Sequence, residues 1–303
     1  MAGTVLTSVI AHGLKETLEE IVDDDTDGVE AKAVFTQWCD IRTMEDNYED
    51  DQEMAGPGFA SEKPESQETQ VGTIKEGATY RYSARTFALK LIISEEAIED
   101  CKYDKILDAA GRLKRSLWKT ADTDATNMLV RATNPSYVFG DGQPLASATH
   151  PLPQGGSFSN ILATGIAPSR QAVIIATSTL RKYPGHDGTT EGYEPKTILS
   201  PTEQWAVWDG VLLSEKAPEA GNFALINVAQ RLRLKNISIK YWNNTTTNWC
   251  MTSDADNGFN FRWKRRPRNR SWVDNDHQVM KYSIDARWSR GTSEPRAIIF
   301  SAA

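Results

Sequence analysis

The amino-acid sequence predicts an α+β fold, and three observations support this prediction. Apolar residues occupy every second position from Phe87 to Ile93, which predicts a strand over 79–93. Apolar residues then recur every three or four positions from Ile106 to Ala132, which predicts one long amphipathic helix over about 102–133. Strand-like segments follow at 234–242, 248–253, 259–264, 279–288 and 297–300. Strands in front, helices in the middle and strands behind favour α+β over a regular βαβ series.

The N-terminal part of the chain joins a helical pattern to a long polar stretch. Apolar spacing predicts an amphipathic helix over 6–22, and a short apolar stretch follows at 31–39. The next segment, 40–77, is acidic and is interrupted by Gly56-Pro57-Gly58 and Pro64. Such a composition cannot build its own core, so we expect this segment to be mobile unless other surfaces hold it.

The predicted long helix implies an elongated molecule. About 30 residues at 1.5 Å per residue give roughly 45 Å, which exceeds the ~30 Å diameter of a small domain. A two-helix hairpin with a break near Gly111 is the alternative. The following loop, 134–160, is rich in proline and glycine and longer than compact domains usually tolerate, so we expect it to be functional or to be held by other parts of the structure.

Two further helices are predicted in the middle of the chain. Apolar spacing predicts a helix over 169–183 that ends at Pro184-Gly185, and a short strand is expected at 196–199. Ser200-Pro201-Thr202-Glu203 has the form of a capping box with proline at the first helical position. It predicts a second helix that extends through Leu212.

Composition excludes several classes of protein. Of the 303 residues, 39% are hydrophobic and 25% are charged, which is typical of a folded soluble protein. No apolar run approaches the ~18–20 residues that a membrane span needs. Cys39, Cys101 and Cys250 lack the spacing of a disulfide framework or a zinc site. The first six residues lack the features of a signal peptide, so we expect neither membrane association nor ordinary export.

Charge is distributed unevenly along the chain. The net charge is −7, acidic residues concentrate in the first seventy positions, and basic residues concentrate at 262–270. Three interpretations stay open: solvated faces, nucleic-acid binding by a basic segment that also contains aromatic residues, and attraction between opposite ends of one chain or of neighbouring chains. The third interpretation gives the candidate inter-subunit contacts, which are Asp23, Asp24, Asp25, Asp50, Asp51, Arg262, Lys264, Arg265, Arg266, Arg268 and Arg270.

The sequence contains no recognisable catalytic, cofactor-binding or metal motif. None of the four histidines has His-x-x-x-His or His-Glu-x-x-His spacing, and no Gly-x-Ser-x-Gly, Walker or Rossmann glycine motif occurs. Carboxylates lie in polar runs, without the apolar wall that raises the pKa of one member of an acid/base pair. We therefore expect a protein that is not an enzyme and that needs no cofactor.

Several segments nevertheless resemble one known family. Segments 145–151 (LASATHP) and 155–160 (GGSFSN) are similar to the region after the spine helix in bacteriophage major head proteins of the Mu-like type. Segments 91–100 (LIISEEAIED), 196–201 (KTILSP) and 249–254 (WCMTSD) resemble other strands and a helix entry of those proteins. The similarities follow the family's order over roughly 31–300.

This resemblance implies the fold of the Hong Kong 97 phage capsid and a structural role in the icosahedral head shell around a double-stranded DNA genome. It implies an N-terminal arm (1–39), an extended loop (40–85), a peripheral domain with the spine helix and the loop after it (86–160), an axial domain (161–270), and C-terminal strands that return to the peripheral domain (271–303). The implied partners are further copies of the chain in hexamers and pentamers, a portal, cement or scaffolding proteins, and DNA bound without sequence specificity. The implied location is the virion, after assembly in the host cytoplasm.

Two other functions stay open at this point. An encapsulin-like nanocompartment of the same fold would enclose enzymes instead of DNA, and a carboxylate-dependent polysaccharide hydrolase would belong to a different class of protein. In some relatives a lysine of the extended loop bonds covalently to an asparagine of a neighbour. Lys63 and Lys75 lack the motif context for that crosslink, so we do not transfer it to this chain.

Overall fold

The computed structural model describes residues 32–94, 96–97, 103–216, 226–242, 247–274 and 276–302, and its named elements are twelve strands, four α-helices and three short 3-10 helices. The strands are β1 (Asp40–Thr43), β2 (Tyr48–Ala55), β3 (Lys75–Ser83), β4 (Arg85–Ser94), β5 (His150–Pro151), β6 (Ser157–Phe158), β7 (Pro195–Pro201), β8 (Lys235–Ile239), β9 (Trp249–Ser253), β10 (Phe259–Asp274), β11 (Val279–Thr292) and β12 (Ile298–Ser301). The helices are α1 (Tyr103–Val130), α2 (Arg170–Leu180), α3 (Trp205–Leu213) and α4 (Val228–Arg231).

Two four-stranded sheets organise these elements. The first has the strand order β1-β10-β11-β4, and the second has the order β12-β9-β7-β8. Two short antiparallel pairs, β2-β3 and β5-β6, lie outside them. The mixture of separate helices and largely antiparallel strands confirms the predicted α+β class.

The long helix α1 packs against the first sheet. It runs without a break through Gly111, so the two-helix alternative is wrong. Leu113, Leu117 and Ala121 on its apolar stripe are buried, as the spacing predicts. They share one core with every second residue of β11, namely Met280, Tyr282, Ile284, Ala286 and Trp288.

The apolar segment before β1 packs on α1. The Phe35 main-chain N–H donates to the Asp122 carboxylate of α1 at 2.8 Å, and the Phe35 ring lies 4.4 Å from that of Phe261 on β10. Burial of Asp122 raises the pKa of its carboxyl group, although the hydrogen bond from Phe35 opposes this rise. The helix predicted over 6–22 and the run 23–25 lie outside the described residues.

The segment 40–77 is more regular than the sequence predicts. Strand β1 lies parallel to β10, and β2 pairs antiparallel with β3 from Tyr48 opposite Ser83 to Ala55 opposite Lys75. The single strand expected over 79–93 is two strands, because β3 pairs with β2 whereas β4 joins the first sheet beside β11. The chain changes partner at Ala84, whose main-chain N–H donates to the Asn47 carbonyl at 3.0 Å.

The helix starts in the second half of the chain agree only partly with the sequence. The helix predicted over 169–183 is confirmed as α2, which ends three residues earlier at Leu180, and Ser169 caps it by accepting a hydrogen bond from the Ala172 N–H at 3.1 Å. The predicted capping box at 200–203 does not form, because β7 continues through Pro201. The Ser200 hydroxyl is buried there and donates to Asn236 on β8 at 3.1 Å. A 3-10 turn follows, and α3 begins only at Trp205.

Strand β10 is much longer than predicted. Instead of ending at 264, it continues to Asp274, so the basic segment 262–270 is part of a strand and not a strand followed by a turn. The register with β11 shifts on either side of Arg265. Such irregularities accommodate Pro267, which has no N–H for the ladder.

The loop 134–160 is held by the rest of the structure, as its length led us to expect. A Cβ on Gly140 would lie 2.1 Å from the Thr79 carbonyl oxygen, so only glycine permits this approach to β3. At the other end, the Asn160 amide donates to the carbonyls of Leu145 and Pro295 at 2.8 and 3.0 Å.

No helix among the described residues has the length and apolarity to span a membrane.

Replacing Leu117 by aspartate is expected to destabilise the fold by about 3 kcal/mol or more, because the new charge would be buried without a partner. Leu117 is 4% exposed in the core between α1 and the first sheet. Lys119→Asp, two positions along on the exposed side of α1, is the matched control and should leave the melting temperature nearly unchanged. Equal melting temperatures for the two variants, measured by circular dichroism, would contradict this packing.

Candidate functional site

The antiparallel pair β2-β3 and the loop 56–74 between its strands form an extended hairpin, residues 48–83. Every residue of the loop is exposed, and the loop has no helix or strand. Its apolar side chains Phe59, Val71 and Ile74 are 84%, 82% and 70% exposed. Exposed apolar groups concentrated in one segment are typical of an interaction surface.

Arg262 on β10 connects the hairpin to the first sheet through ion pairs and a cation–π contact. Its side chain is only 5% exposed and forms ion pairs with Glu49, at 2.9 Å, and with Asp51, both on β2. The guanidinium carbon lies 3.8 Å from the centre of the Tyr82 ring on β3. Burial lowers the pKa of Arg262, but the hydrogen bonds to Asp51 and Glu49 outweigh burial, so the pKa is raised.

A second group of charges, the root cluster, contacts the same face of β2 at a position nearer the loop. It consists of Glu53 on β2, His186 in the loop after α2, and Glu294 and Arg296 before β12. The Arg296 side chain is 1% exposed, and its Nη1 lies 2.8 Å from Glu294 Oε1 and 3.3 Å from Glu53 Oε1. Its Nε donates to the Pro184 carbonyl at 2.8 Å.

His186 lies between the two carboxylates of the root cluster. Its Nδ1 is 2.7 Å from Glu53 and its Nε2 is 2.9 Å from Glu294. Hydrogen bonds with Glu294 and Glu53 raise the pKa of His186 to about 9. Burial pushes the pKa of Glu294 upward, but the hydrogen bond from His186 and the charge of Arg296 outweigh it, so that pKa is lowered.

The outer face of the first sheet, opposite α1, is basic. Asp285 on β11 lies at its centre and forms ion pairs with Arg265, with Arg268 at 3.2 Å and with Arg270 at 3.8 Å. Strand register puts further cations on the same side. This basic face comprises Lys90, Arg265, Arg268, Arg270, Lys281 and Arg287.

Some of the residues predicted to contact neighbouring subunits instead form contacts within their own chain. Asp51 meets Arg262, as described above, and Asp50 forms a bidentate pair with the exposed Arg81 at 2.7 Å. Lys264 donates to the Glu45 carbonyl. Arg266 is exposed on β10, whereas Asp23, Asp24 and Asp25 lie outside the described residues. Contacts of this set with neighbouring subunits stay a prediction.

Sequence reasoning missed most of the charges that fix the hairpin. Glu53 and Arg296 are 243 positions apart, and no spacing rule connects them. His186 follows the end of α2 and Glu294 precedes a 3-10 turn, so both resemble ordinary loop residues. Asp285 could have been found from the sequence, although the signal is weak. It is an acidic residue within the alternating pattern of β11, the strand that pairs with the basic segment of β10.

Helix α3 has an uncovered apolar face. Trp208, Val211 and Leu212 are buried in a core shared with α2 and the second sheet, yet Trp205 and Leu213 on the other side are 54% and 70% exposed. A helix that is apolar around most of its circumference is normally buried. This face is therefore a second candidate contact surface.

The described residues offer little for catalysis. They contain no group of three or more His, Cys, Asp or Glu side chains arranged for a metal ion. His150 and Asp141 form a buried pair at 2.6 Å, but His150 Nε2, which would accept the proton of a nucleophile, has no hydrogen-bond partner. A cavity of about 520 Å³ is lined only by residues of the exposed loop, between Pro57 and Thr73.

Comparison with known proteins gives one consistent result. A family model described as phage capsid protein matches residues 77–300. No curated protein sequence matches the chain.

Among solved structures, a virus-like particle from Pyrococcus furiosus has a TM-score of 0.58 at 9% identity, covering 95% of this chain and 98% of that chain. The capsid of the cyanophage P-SCSP1u has a TM-score of 0.56 at 12% identity, covering 88% and 86%. The capsid of a native GTA particle has a TM-score of 0.54 at 17% identity, covering 89% and 90%. At these identities the likeness shows the fold alone.

Asp51→Asn is expected to cost about 1.5–3 kcal/mol of folding free energy, because Arg262 would lose a charged hydrogen-bond partner in a buried setting. Asp50→Asn is the matched control, since its partner Arg81 is 60% exposed, and its effect should be much smaller. Chemical denaturation of both variants measures the difference. A loss for Asp50→Asn as large as for Asp51→Asn would show that Arg262 is not an anchor.

Proposed function

This chain belongs to the phage capsid protein family, and we propose that it is a head subunit of the Hong Kong 97 type, within the Mu-like group. The family match covers residues 77–300, well over half of the chain. The protein is a structural capsid protein that forms the head shell, and its place is in the virion. The encapsulin-like alternative is not favoured by a phage capsid match. We propose no enzymatic role.

We propose that the chain divides as the resemblance implies: arm 1–39, extended loop 40–85, peripheral domain 86–160, axial domain 161–270 and returning strands 271–303. The position of α1 in the third division and of the extended hairpin in the second supports this division. The first sheet joins β4 of the peripheral domain to β1 of the extended-loop division, to β11 of the returning strands and to β10, which spans the boundary at 270.

The observation that most supports assembly is the contrast between the two ends of the extended hairpin. Its root is fixed by the buried side chains of Arg262 and Arg296, whereas the loop 56–74 is exposed throughout. A loop with several exposed apolar side chains gains stability only when another surface covers them. In a shell of identical subunits, that surface belongs to a neighbouring copy.

We propose that the basic face of one subunit receives the loop of the next. The loop contains Glu62, Glu65 and Glu68 against one lysine, Lys63, so its charge is complementary to the basic face. Each exposed pair contributes only about 0–1 kcal/mol, but the shell repeats the contact at each interface.

We assign the apolar face of α3 to contacts between axial domains around the symmetry axis of hexamers and pentamers. Trp205 and Leu213 supply an aromatic and an aliphatic contact of the type that dominates interface cores. A particle map in which this face stays open to solvent would contradict the assignment.

The remaining partners follow from the shell role. We propose that the shell encloses double-stranded DNA without sequence-specific contacts, which agrees with the net charge of −7. A portal and cement or scaffolding proteins would complete the particle, and assembly would take place in the host cytoplasm.

Replacing 57–73 by an Asn-Gly turn is expected to leave a folded subunit that no longer forms closed shells. The root pairs and the β2-β3 ladder remain, while the contacts with the neighbour are lost. Sedimentation and electron microscopy of the purified variant measure assembly, and the melting temperature measures folding. Normal-sized shells from this variant would refute the role proposed for the loop.

Lys90→Glu combined with Arg270→Glu, two exposed positions of the basic face, should raise the protein concentration needed for assembly and make assembly less sensitive to salt, because the attraction to the acidic loop is removed. Lys119→Glu combined with Lys182→Glu changes the net charge equally at exposed positions outside β10 and is the control. Light scattering of chains expressed without phage DNA follows the process. Unchanged assembly of the first variant would refute subunit pairing through this face, and defective DNA retention in intact shells would assign the face to DNA instead.

A further inference from the structure

The root cluster joins three segments that are distant in the sequence. Glu53 belongs to the extended hairpin, His186 to the loop after α2, and Glu294 and Arg296 to the segment between β11 and β12. Glu53, Glu294 and Arg296 have side-chain exposures of 6%, 8% and 1%. Charges that are this well buried must be balanced by one another, because water does not solvate them.

The charge balance of the cluster depends on the proton of His186. With His186 protonated, two cations face two carboxylates, and both imidazole nitrogens have a carboxylate within 2.9 Å. Without that proton, Arg296 alone must compensate Glu53 and Glu294. If Nε2 keeps its hydrogen for Glu294, the Nδ1 lone pair faces the Glu53 carboxylate at 2.7 Å, and Arg296 Nη1, which lies 3.2 Å from Nδ1, is shared between that nitrogen and both carboxylates. That arrangement is repulsive in a buried site.

Within the part of the chain that the structure describes, no cation other than Arg296 lies near His186 to replace the proton. The other titratable groups near His186 are Asp187, Glu191 and Tyr193 on its own segment, Asp254 and Asp256 before β10, and Asp51 and Tyr80 on the hairpin. Burial raises the pKa of Tyr80 and of Tyr193, so both stay neutral at mildly alkaline pH. The remaining members of this group are acidic.

Solvent has access to the histidine. Its side chain is 31% exposed and borders an open cleft of about 390 Å³ lined by Glu191, Tyr193 and Asp254. The imidazole proton of His186 can therefore pass directly to a base in the solvent, and no other side chain has to move first.

We propose that the root cluster is a pH-sensitive latch, which holds the extended hairpin against the body of the subunit while His186 is protonated and releases the hairpin root when that proton is lost. The inference concerns a single subunit and does not depend on shell assembly.

The direction of the pH effect follows from linkage. The pKa of His186 is raised from an ordinary value of 6.5 to about 9 by its carboxylate partners. The stabilisation is therefore complete below the ordinary pKa and is lost as the pH rises through about 9. The hairpin should open under alkaline conditions, not under acidic ones.

Hydrogen-deuterium exchange of the full chain between pH 7 and pH 10, corrected for the intrinsic exchange rate, tests the latch. In the wild type, the protection factor of peptides over β2 should fall by at least about tenfold as the pH rises from 7 and should level off above about 9, while peptides over the buried strand β9 keep their protection. A protection factor of β2 peptides that stays constant across this pH range in the wild type would by itself overturn the proposal.

Two substitutions sharpen the test. His186→Gln removes the titrating group, so β2 protection should be low and independent of pH. His277→Gln is the control, because His277 also pairs with an aspartate but is 75% exposed in the β10-β11 turn, and this variant should follow the wild type. An alkaline loss of protection in His186→Gln equal to that of the wild type would overturn the proposal.

Discussion

Burial of two guanidinium groups constrains the rest of this structure. Arg262 and Arg296 are almost completely enclosed, and a buried charge is tolerated only when partners compensate it. Three of those partners, Glu49, Asp51 and Glu53, lie on the single strand β2. Because strand residues alternate in direction, the odd-numbered carboxylates of β2 all face the body of the subunit. The polar hairpin is thereby fixed in place without an apolar core of its own.

This constraint explains how an acidic segment of the chain becomes ordered. Hydrophobic burial holds α1, the two sheets and the segment 33–39, whereas the hairpin is held by buried charge pairs together with the buried rings of Tyr80 and Tyr82. The two mechanisms respond to different conditions. The proton of His186 contributes to the charged contacts of the hairpin root, whereas the aromatic core around Phe261, Trp263 and Trp288 is held by ring packing.

The parts of the fold that the sequence predicts are those set by local periodicity. The stripe of α1 and the alternation of β11 follow directly from the spacing of apolar residues. Non-local pairing decides the rest. Ser200 has the form of a helix cap, but β8 and β9 on either side of β7 keep it in the sheet. The basic segment has the composition of a surface patch, but β1 and β11 extend it into a strand that buries Arg262 while Arg266 stays exposed. The contacts of His186 with Glu53 and Glu294 form only in the tertiary structure, so no pattern in the sequence predicts them.

The central claim is that the hairpin root is fixed within one subunit while the loop 56–74 is completed by another. A cryo-electron microscopy map of purified shells at side-chain resolution tests it most directly. The account predicts density for 56–74 of one subunit on the basic face formed by β4, β10 and β11 of a neighbour, with Arg262 still paired to Asp51 of its own chain. A loop that contacts only its own subunit, or an Arg262 paired across the interface, would contradict it.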